Sequence, residues 1–404
     1  MHVAVLTREY PPDVYGGAGV HVEYLTRELA RLLEVTVHAW GGDRPDATPP
    51  AVGYRAWDRL QGSEPHLAAL QAVSIDLAMA ARAEGADLVH THTWYANLGG
   101  HVASMIYDIP HVATSHSLEP LRPWKAEQLG GGYALSSWCE RVSLEAADAV
   151  IAVSNGMRQD VLAAYPAIDP ARVSVIHNGI DTDEYRPDRS TDVLERLGVD
   201  AGAPLVVFVG RITRQKGVPY LLDAALSFDP RAQLVLCAGA PDTPEIGAEV
   251  ATRVERLRAD RGNVIWVDQM LPKRDVIQLL SHARVFVCPS IYEPLGIVNL
   301  EAMACEAAVV ATATGGIVEV VEDGVTGLLV PFEPTGPGEP EPREPEAFAA
   351  GIAERVNALV ADGERAREFG RAGRRRAVED FAWPAIAEQT AALYRRVSEA
   401  RGRT

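Results

Sequence analysis

Short apolar runs alternate with amphipathic segments along most of the chain. Within each run nearly every position is apolar, which is typical of strands buried on both faces of a parallel sheet. A first series of predicted strands covers His2–Leu6, Val35–Ala39, Leu88–His90, His111–Thr114, Val150–Val153 and Val173–Ile176. A second series covers Leu205–Val209, Leu234–Cys237, Val264–Val267, Val285–Cys288, Ala308–Ala311 and Leu328–Val330. Between the strands, apolar residues recur at helical spacings, as at Val22, Leu25, Leu29 and Leu32.

The two series are separated by Asp181–Ala203, a stretch with Asp, Pro and Gly and no strong strand pattern. We therefore expect an α/β protein with two doubly wound, Rossmann-like domains that face each other across a cleft. The expected domains are residues 1–190 and 191–380, and a terminal helix in 381–404 is expected to pack back on the first domain. The segment Glu333–Pro345 is rich in Pro and Glu and is expected to be an exposed loop.

Composition narrows the functional classes. A chain of 404 residues is long for a single core, which supports two domains. Its formal charge of −17 gives no electrostatic reason to bind nucleic acid or an anionic membrane. The four scattered cysteines, the absence of a span of about 20 apolar residues and an amino terminus that resembles a strand indicate a reduced, cytoplasmic protein.

Two carboxylates and two cations form the most informative pattern. Glu293 and Glu301 are separated by seven residues at the start of a predicted helix, and Arg211 and Lys216 follow a predicted strand. Carboxylates can accept hydroxyl groups of sugar and ribose, and the cations can neutralise a diphosphate. The sequence therefore indicates a site for a nucleoside diphosphate-sugar. An N-terminal capping role for Glu293 remains the alternative.

In the first half, Gly16 and Gly17 lie where a predicted helix begins after the first strand. Glycines there let backbone N–H groups approach an anion, although a plain strand-to-helix turn is equally compatible. His116 lies at the end of a strand, where a histidine can be structural or catalytic. His90 and His92 have a spacing that some metal sites use, and Asp181-Thr-Asp183 matches a metal-binding signature. The histidines have no Cys, Asp or Glu at ligand spacing, and the aspartates lie at the domain junction, where we interpret them as linker, so we expect no metal and no cofactor.

These residues resemble the retaining, metal-independent glycosyltransferases with two Rossmann domains, the GT-B family, over essentially the whole chain. The resemblance implies that His116, Arg211, Lys216 and Glu293 are catalytic. It also implies that the donor is bound by Gly16, Gly17, Asn178, Leu295, Gly296, Ile297 and Glu301.

A narrower resemblance comes from the segments at residues 6–12, 92–96 and 116–125, which look like those of the actinobacterial glycogen synthase group. It implies α-1,4 transfer of glucose from ADP-glucose to α-glucose 1-phosphate, giving α-maltose 1-phosphate, to glycogen, or to both. One departure is Val14, two residues before Gly16, where better-known bacterial glycogen synthases carry lysine. The alternative is a related transferase with UDP-N-acetylglucosamine or GDP-mannose as donor.

An acceptor with a phosphate needs cations, for which Arg122 and Lys125 are the candidates. Glu9 and Tyr95 are expected to complete the acceptor site, and Trp94 and Trp124 are further aromatic residues that can stack on a sugar. Packing of the loop by Arg122 and Trp124 is the alternative. The partners expected are thus a nucleotide sugar and a sugar phosphate or glucan, with no nucleic acid and no membrane, and homodimer formation stays open.

Overall fold

The computed structural model describes residues 1–14, 16–62, 64–123, 125–239, 241–336 and 339–402, with only the backbone at 127, 128, 339 and 340. Its contacts divide the chain into two units. The first comprises Met1–Gly179 and Trp383–Thr404, and the second comprises Ile180–Ala382. The division therefore falls before the expected position at residue 190, because Ile180–Tyr185 already bonds to the second unit, as in Ile180 N–H to the Phe381 carbonyl.

The first unit is built on a parallel sheet in the order β3-β2-β1-β4-β5-β6-β7. Its strands are β1 His2–Thr7, β2 Glu34–Trp40, β3 Ala51–Tyr54, β4 Leu88–His92, β5 His111–Ser115, β6 Ala149–Ala152 and β7 Val173–Val175. Its helices before the second unit are α1 Gly17–Leu29, α2 Pro65–Ala80, α3 Trp94–Tyr107, α4 Lys125–Leu129, α5 Gly132–Ala146 and α6 Asn155–Ala164.

The second unit has a parallel sheet in the order β10-β9-β8-β11-β12-β13 and a separate antiparallel pair, β14-β15. Its strands are β8 Leu205–Arg211, β9 Gln233–Gly239, β10 Val264–Val267, β11 Val285–Cys288, β12 Ala308–Thr312, β13 Gly327–Val330, β14 Pro334–Gly336 and β15 Glu339–Pro342. Its helices are α7 Asp192–Leu197, α8 Val218–Ala225, α9 Pro244–Arg261, α10 Lys273–His282, α11 Ile297–Ala304, α12 Ile317–Val320, α13 Pro345–Ala361 and α14 Gly363–Asp380.

The last helix, α15 Trp383–Arg401, belongs to the first unit, as expected. Its buried residues Trp383, Ile386 and Tyr394 share a core with strand residues Val3 and Val5. The Tyr394 hydroxyl also lies 2.6 Å from Nδ1 of His90 on β4. This helix therefore completes one face of the first sheet.

The α/β class and the two parallel sheets are confirmed, and each predicted strand overlaps an observed one. The prediction missed β3, a four-residue edge strand that contains a glycine. It was wrong to treat Glu333–Pro345 as a loop alone, since β14 and β15 pair there. Proline-rich edge strands carry little hydrophobic pattern, which hides them in the sequence. Within the part of the chain that is described, no helix is long and apolar enough to cross a bilayer.

Candidate active site

Each sheet has a point where the strand order reverses, and several of the predicted site residues follow the strands that meet there. In the second sheet β8 and β11 are neighbours, and the chain proceeds outward from them in opposite directions. The loops after two such strands diverge and leave a crevice at the carboxyl ends, where ligands of open α/β sheets bind. Arg211 and Lys216 follow β8, and Glu293 follows β11.

Lys216 and Glu293 form an ion pair across these two loops. The Lys216 ammonium lies 2.6 Å from Oε2 of Glu293, and the Ser290 hydroxyl donates to the same oxygen at 3.2 Å. Burial alone would lower the pKa of Lys216, but the attraction of Glu293 and further partners outweighs it and raises that pKa. Lys216 is therefore a fixed cation at the crevice.

Close backbone contact positions this ion pair. Gly217 adopts a left-handed conformation with φ of 63°, and a Cβ there would lie 2.0 Å from the Pro289 carbonyl oxygen. The Ile291 N–H donates to the Gln215 carbonyl at 2.9 Å. The two loops are thus bonded to each other directly beside the side chains that they carry.

Arg211 ends β8 and pairs with Asp242, whose Oδ1 lies 2.9 Å from the guanidinium. The Arg211 side chain is 23% exposed, so it stays accessible to a ligand. The bond to Asp242 orients the guanidinium, a group that carries five N–H donors in a fixed plane. The second predicted cation is therefore preorganised in the same manner as the first.

Glu301 lies within α11, and its Oε1 accepts a hydrogen bond of 3.0 Å from the Tyr185 hydroxyl. Burial raises the pKa of Glu301, while Tyr185, Lys273 and Lys216 act in the opposite direction. Because Lys216 pairs with Glu293 and also acts on Glu301, both carboxylates lie within electrostatic range of one cation.

The backbone between the two glutamates forms the amino-terminal end of α11. Gly296 is its N-cap with φ of 92°, and Leu295 is buried behind it. From Ile297 onward the first N–H groups of the helix have no partner within the helix itself, which favours an anion at this end. The Gly316 N–H donates to the Glu293 carbonyl at 2.9 Å and keeps this end in place.

In the first unit the strand order reverses between β1 and β4. Gly16 is the N-cap of α1 and Gly17 is its first residue, as the sequence predicted. The Gly16 N–H donates to Oε2 of Glu9 at 2.7 Å. Glu9, predicted for acceptor binding, therefore also stabilises the glycine turn, and it blocks at least one N–H that an anion would otherwise use.

His116 follows β5 and lies against other histidines. Its Nε2 is 3.0 Å from Nδ1 of His92, and its ring centroid is 4.6 Å from that of His21. Burial, followed by repulsion from His21 and His90, holds the pKa of His116 well below its usual range. His116 is thus a neutral imidazole near pH 7, able to donate or accept a hydrogen bond. A neutral His116 cannot act as a fixed positive charge.

Asn178 is 4% exposed and its Oδ1 has no hydrogen-bond partner. Burial lowers the pKa of His21 to about 4, and interaction with the Asn178 side chain opposes this shift. Asn178 therefore lies beside the histidine cluster with an unsatisfied acceptor.

Tyr95, the second residue of α3, lies next to a cation that the sequence analysis overlooked. The Arg8 guanidinium lies 4.2 Å from the centre of the Tyr95 ring and 5.3 Å from that of Trp40. Trp94 is 2% exposed and packs in a hydrophobic core, so it was wrong to consider it for stacking on a sugar. Its periodic position on α3 explains its burial.

Arg122 lies at the end of a short 3-10 turn after His116. Its guanidinium donates to the Ser117 hydroxyl at 3.0 Å and lies 3.9 Å from Glu119. Glu119 is buried and accepts a hydrogen bond from Ser136 at 2.7 Å. Arg122 is therefore anchored by its own loop, although it retains 16% exposure. Lys125 begins α4 at intermediate exposure, and Trp124 lies outside the described residues.

The two metal signatures behave differently. Asp181 Oδ1 accepts the N–H groups of Asp183 and Glu184 at 3.0 Å each, so this motif forms a turn at the start of the second unit. His90 bonds to Tyr394 and Thr114 through its two ring nitrogens. His92 instead lies with His21 and His116 in a group whose ligand atoms are within 4.8 Å of one another.

The sequence analysis missed Arg8, His21, Tyr185 and Asp242. His21 had a usable signal, since it lies four residues before Leu25 on the apolar face of α1 and is buried. Tyr185 and Asp242 contact their partners across 116 and 31 residues, which no local pattern reveals.

Comparison with known proteins places these features in a family. Residues 15–184 match the model of Glycosyltransferase Family 4, and residues 191–376 match that of Glycosyl transferases group 1. An alpha-maltose-1-phosphate synthase of Mycolicibacterium smegmatis is 56% identical over 98% of this chain and 100% of its own length. One of Mycobacterium tuberculosis is 54% identical, with the same shares covered.

Among solved structures, sucrose-phosphate synthase from Thermosynechococcus elongatus matches with a TM-score of 0.78 and 27% identity, covering 99% of both chains. The two family matches occupy the two halves of the chain, in agreement with its two parallel sheets. The chain is therefore a hexosyltransferase that belongs to the GT-B glycosyltransferases, the family of the mycobacterial alpha-maltose-1-phosphate synthases.

Proposed function

We propose that the enzyme transfers glucose from ADP-glucose to the 4-hydroxyl of α-glucose 1-phosphate, with retention, and forms α-maltose 1-phosphate. The observation that carries this proposal is the group of Arg211, Lys216, Glu293 and Glu301 at the strand reversal of the second sheet. Full-length similarity to two mycobacterial alpha-maltose-1-phosphate synthases supports the acceptor and the product. The resemblance to the actinobacterial group favours ADP-glucose as donor.

The cations meet the main electrostatic demand of the reaction. Cleavage of the anomeric C–O bond leaves negative charge on the departing diphosphate, and donors that are already oriented stabilise such charge best. Lys216 and Arg211 are held by Glu293 and Asp242 before any substrate binds. In this proposal the diphosphate becomes an additional partner of both cations, and no metal is needed for that task.

The carboxylates provide the recognition of hydroxyl groups. Glu293 keeps its second oxygen for the glucose hydroxyls, because Lys216 and Ser290 both contact Oε2. Glu301 binds the ribose with the oxygen that Tyr185 leaves available. The neutral His116 contacts a hydroxyl of the donor sugar, and Asn178 offers its unsatisfied oxygen nearby.

Retention in this proposal does not pass through an enzyme nucleophile. A double displacement needs a carboxylate or similar group next to the anomeric carbon. Glu293 is bound to a lysine, and Glu301 is assigned to the ribose. Transfer on one face of the sugar therefore fits better, with the leaving phosphate accepting the proton of the attacking 4-hydroxyl.

On the acceptor side, we assign the phosphate of α-glucose 1-phosphate to Arg122, Lys125 and Arg8. Arg8 is oriented by two aromatic rings, of which Tyr95 is only partly buried and can contact a sugar. Glycogen, which has no phosphate at its non-reducing end, would not use these cations. The choice of acceptor is therefore a direct test of their role.

The test is NMR analysis of products after incubation with ADP-glucose, α-glucose 1-phosphate and glycogen in one tube, with EDTA present. We expect α-maltose 1-phosphate as the main product. Extension of glycogen while the sugar phosphate remains unchanged would contradict the proposed acceptor. A parallel panel with UDP-glucose, UDP-N-acetylglucosamine and GDP-mannose tests the donor, and faster transfer from any of them would contradict ADP-glucose.

A further inference from the structure

Three histidines of the first unit come together from separate segments of the chain. His21 lies on α1, His92 ends β4 and His116 follows β5. One ring nitrogen from each lies within 4.8 Å of the others. Histidines grouped in this way offer only nitrogen ligands, the donor set of zinc, copper and nickel sites rather than of Mg²⁺ or Ca²⁺.

The internal hydrogen bonds leave this group incomplete. Neither ring nitrogen of His21 makes a hydrogen bond of good geometry, although the residue is only 2% exposed and the Asn178 side chain is close enough to oppose the downward shift of its pKa. Nε2 of the fully buried His92 is likewise unpaired. Buried polar atoms in native proteins normally have partners, so unpaired nitrogens on two of the three rings mark this cluster as a candidate site for a ligand.

The geometry is close to that of a zinc site. Zn–N bonds of about 2.1 Å in a tetrahedron place ligand nitrogens ~3.4 Å apart. His92 and His116 already approach to 3.0 Å, so the larger spread concerns His21. His116 is the partly exposed member of the three, so the cluster is accessible to an ion from its side.

Metal binding also requires a place for the proton between His92 and His116 and an acceptor for the second N–H of a bound histidine. His92 and His116 share one proton in their hydrogen bond, and metal binding requires that this proton leave. The donor ring stays neutral when this proton moves to its other nitrogen, and if His92 is the donor, its Nε2 has no hydrogen-bond partner and can carry the proton. A bound histidine usually donates its second N–H to an oxygen, and the unpaired Oδ1 of Asn178 lies beside His21.

We propose that His21, His92 and His116 form an inhibitory site for Zn²⁺ or a similar late transition metal ion. The binding part is independent of the proposed function, whereas the inhibition rests on it, because His116 is there assigned to the donor sugar. An ion bound to the His116 ring would hold the ring in the histidine cluster and so prevent its contact with the donor sugar. In this proposal sugar transfer needs no metal ion, and an ion bound to the three histidines inhibits it.

The test is titration of the full chain with Zn²⁺ by calorimetry, together with turnover at rising free Zn²⁺. We expect one tight site with a micromolar or lower Kd, loss of at least 90% of turnover at saturation, and recovery with EDTA. Mg²⁺ should do neither. Co²⁺ should bind with the intense visible absorption of a tetrahedral nitrogen site, a measurement that needs no variant.

His21→Phe is the informative variant, since it preserves ring packing against Trp383, 5.3 Å away, and removes both nitrogens. We expect Zn²⁺ affinity to fall at least 100-fold and turnover, relative to its own zinc-free rate, to become insensitive to Zn²⁺. His66→Asn, at an exposed histidine of α2, is the matched control and should resemble the parent.

Zinc binding that is unchanged in His21→Phe, or no tetrahedral Co²⁺ spectrum in the parent, would overturn the proposal. Binding at this site in a protein that transfers no sugar would support the metal site and contradict the proposed function instead. Sugar transfer without zinc binding would support the proposed function and contradict the metal site, so the two failures can be distinguished.

Discussion

The ammonium of Lys216 lies 2.6 Å from Oε2 of Glu293, so a cation and a carboxylate from two different strand ends hold each other at the reversal point of the second sheet. Neither side chain could be kept there alone without cost, because an unpaired charge is disfavoured at such low exposure. The pair brings opposite charges, one suited to phosphate and one to hydroxyl groups, to within one hydrogen bond of each other.

Replacing Lys216 by Ala should reduce kcat by about 100- to 1000-fold, the range seen when one donor to a developing anion is removed. Steady-state assays with ADP-glucose measure this, with circular dichroism as a check of folding. The control is Arg214→Ala, an exposed cation two residues away, which should be nearly neutral. Turnover near that of the parent in Lys216→Ala and also in Glu293→Ala would refute the site assignment.

Tyr185→Phe should weaken donor binding and leave the chemical step largely intact. The variant removes the hydroxyl that orients Glu301 and that counteracts the upward shift of its pKa. A lost hydrogen bond to a carboxylate corresponds to about 1.5 kcal/mol, or roughly tenfold in KM for the nucleotide sugar. The measurement is KM and kcat for the donor at saturating acceptor.

A matched control for this change is Tyr220→Phe, which also removes a hydroxyl bonded to a glutamate, Glu341, on the separate strand pair. Its donor KM should stay at the parental value. Equal KM values in Tyr185→Phe and the parent would show that Tyr185 does not position Glu301 for binding.

Arg122→Gln should raise KM for α-glucose 1-phosphate by about 10- to 100-fold, because it removes charged hydrogen bonds to the acceptor phosphate. Elongation of glycogen, if the enzyme performs it, should change little. Arg141→Gln, at an exposed arginine of α5, serves as control. An equal loss with both acceptors would assign Arg122 to loop packing, through Ser117 and Glu119, and not to phosphate binding.

Glu140 should make stability depend on pH. Burial, and then repulsion from Glu119, raises the pKa of Glu140 to about 8 in the folded protein. The unfolded chain loses this proton near pH 4.5, so the folded state loses stability as pH rises from there to about 8. The slope from this one group is at most about 1.4 kcal/mol per pH unit.

Glu140→Gln keeps an oxygen for the Tyr165 hydroxyl and the Glu119 N–H but cannot ionise. Its unfolding free energy relative to the parent should therefore increase from pH 5 to pH 8 in urea titrations. Glu34→Gln, at an exposed position, should show no such trend. A parallel pH dependence of Glu140→Gln and parent would mean that Glu140 is ionised in the fold.

The sequence revealed much of the fold and the chemically obvious part of the site. Continuous apolar strands are local signals, and both units are built from such strands. The spaced pair of glutamates in the site is a local signal of the same kind. The ion-pair partners were not predictable in the same way. Asp242 lies in an ordinary loop. Tyr185 is 116 residues from Glu301 in sequence, and Arg374, still further along the chain, bonds to the carbonyls of both Tyr185 and Ala304.

The histidines also have partners that are distant in sequence and that no local pattern reveals. The spacing of His90 and His92 drew attention to that pair, and their rings do lie on one face with centroids 4.2 Å apart. The partner of His90, however, is the hydroxyl of Tyr394, which lies near the far end of the chain and could not be found from the local spacing. His21, which lies with His92 and His116 in the structure, stands one residue before the helical pattern that begins at Val22 and was not identified from it.

Helix α15 is translated last, yet it belongs to the first unit, so this unit cannot be complete until synthesis of the helix ends. A ribosome releases residues 1–179 long before it releases Trp383, Ile386 and Tyr394, which cover one face of the first sheet. The second unit, a single continuous segment, is available whole while that face still lacks its cover. The part of the protein that is translated first is therefore the part that is completed last, and until then its exposed apolar strands depend on protection from aggregation.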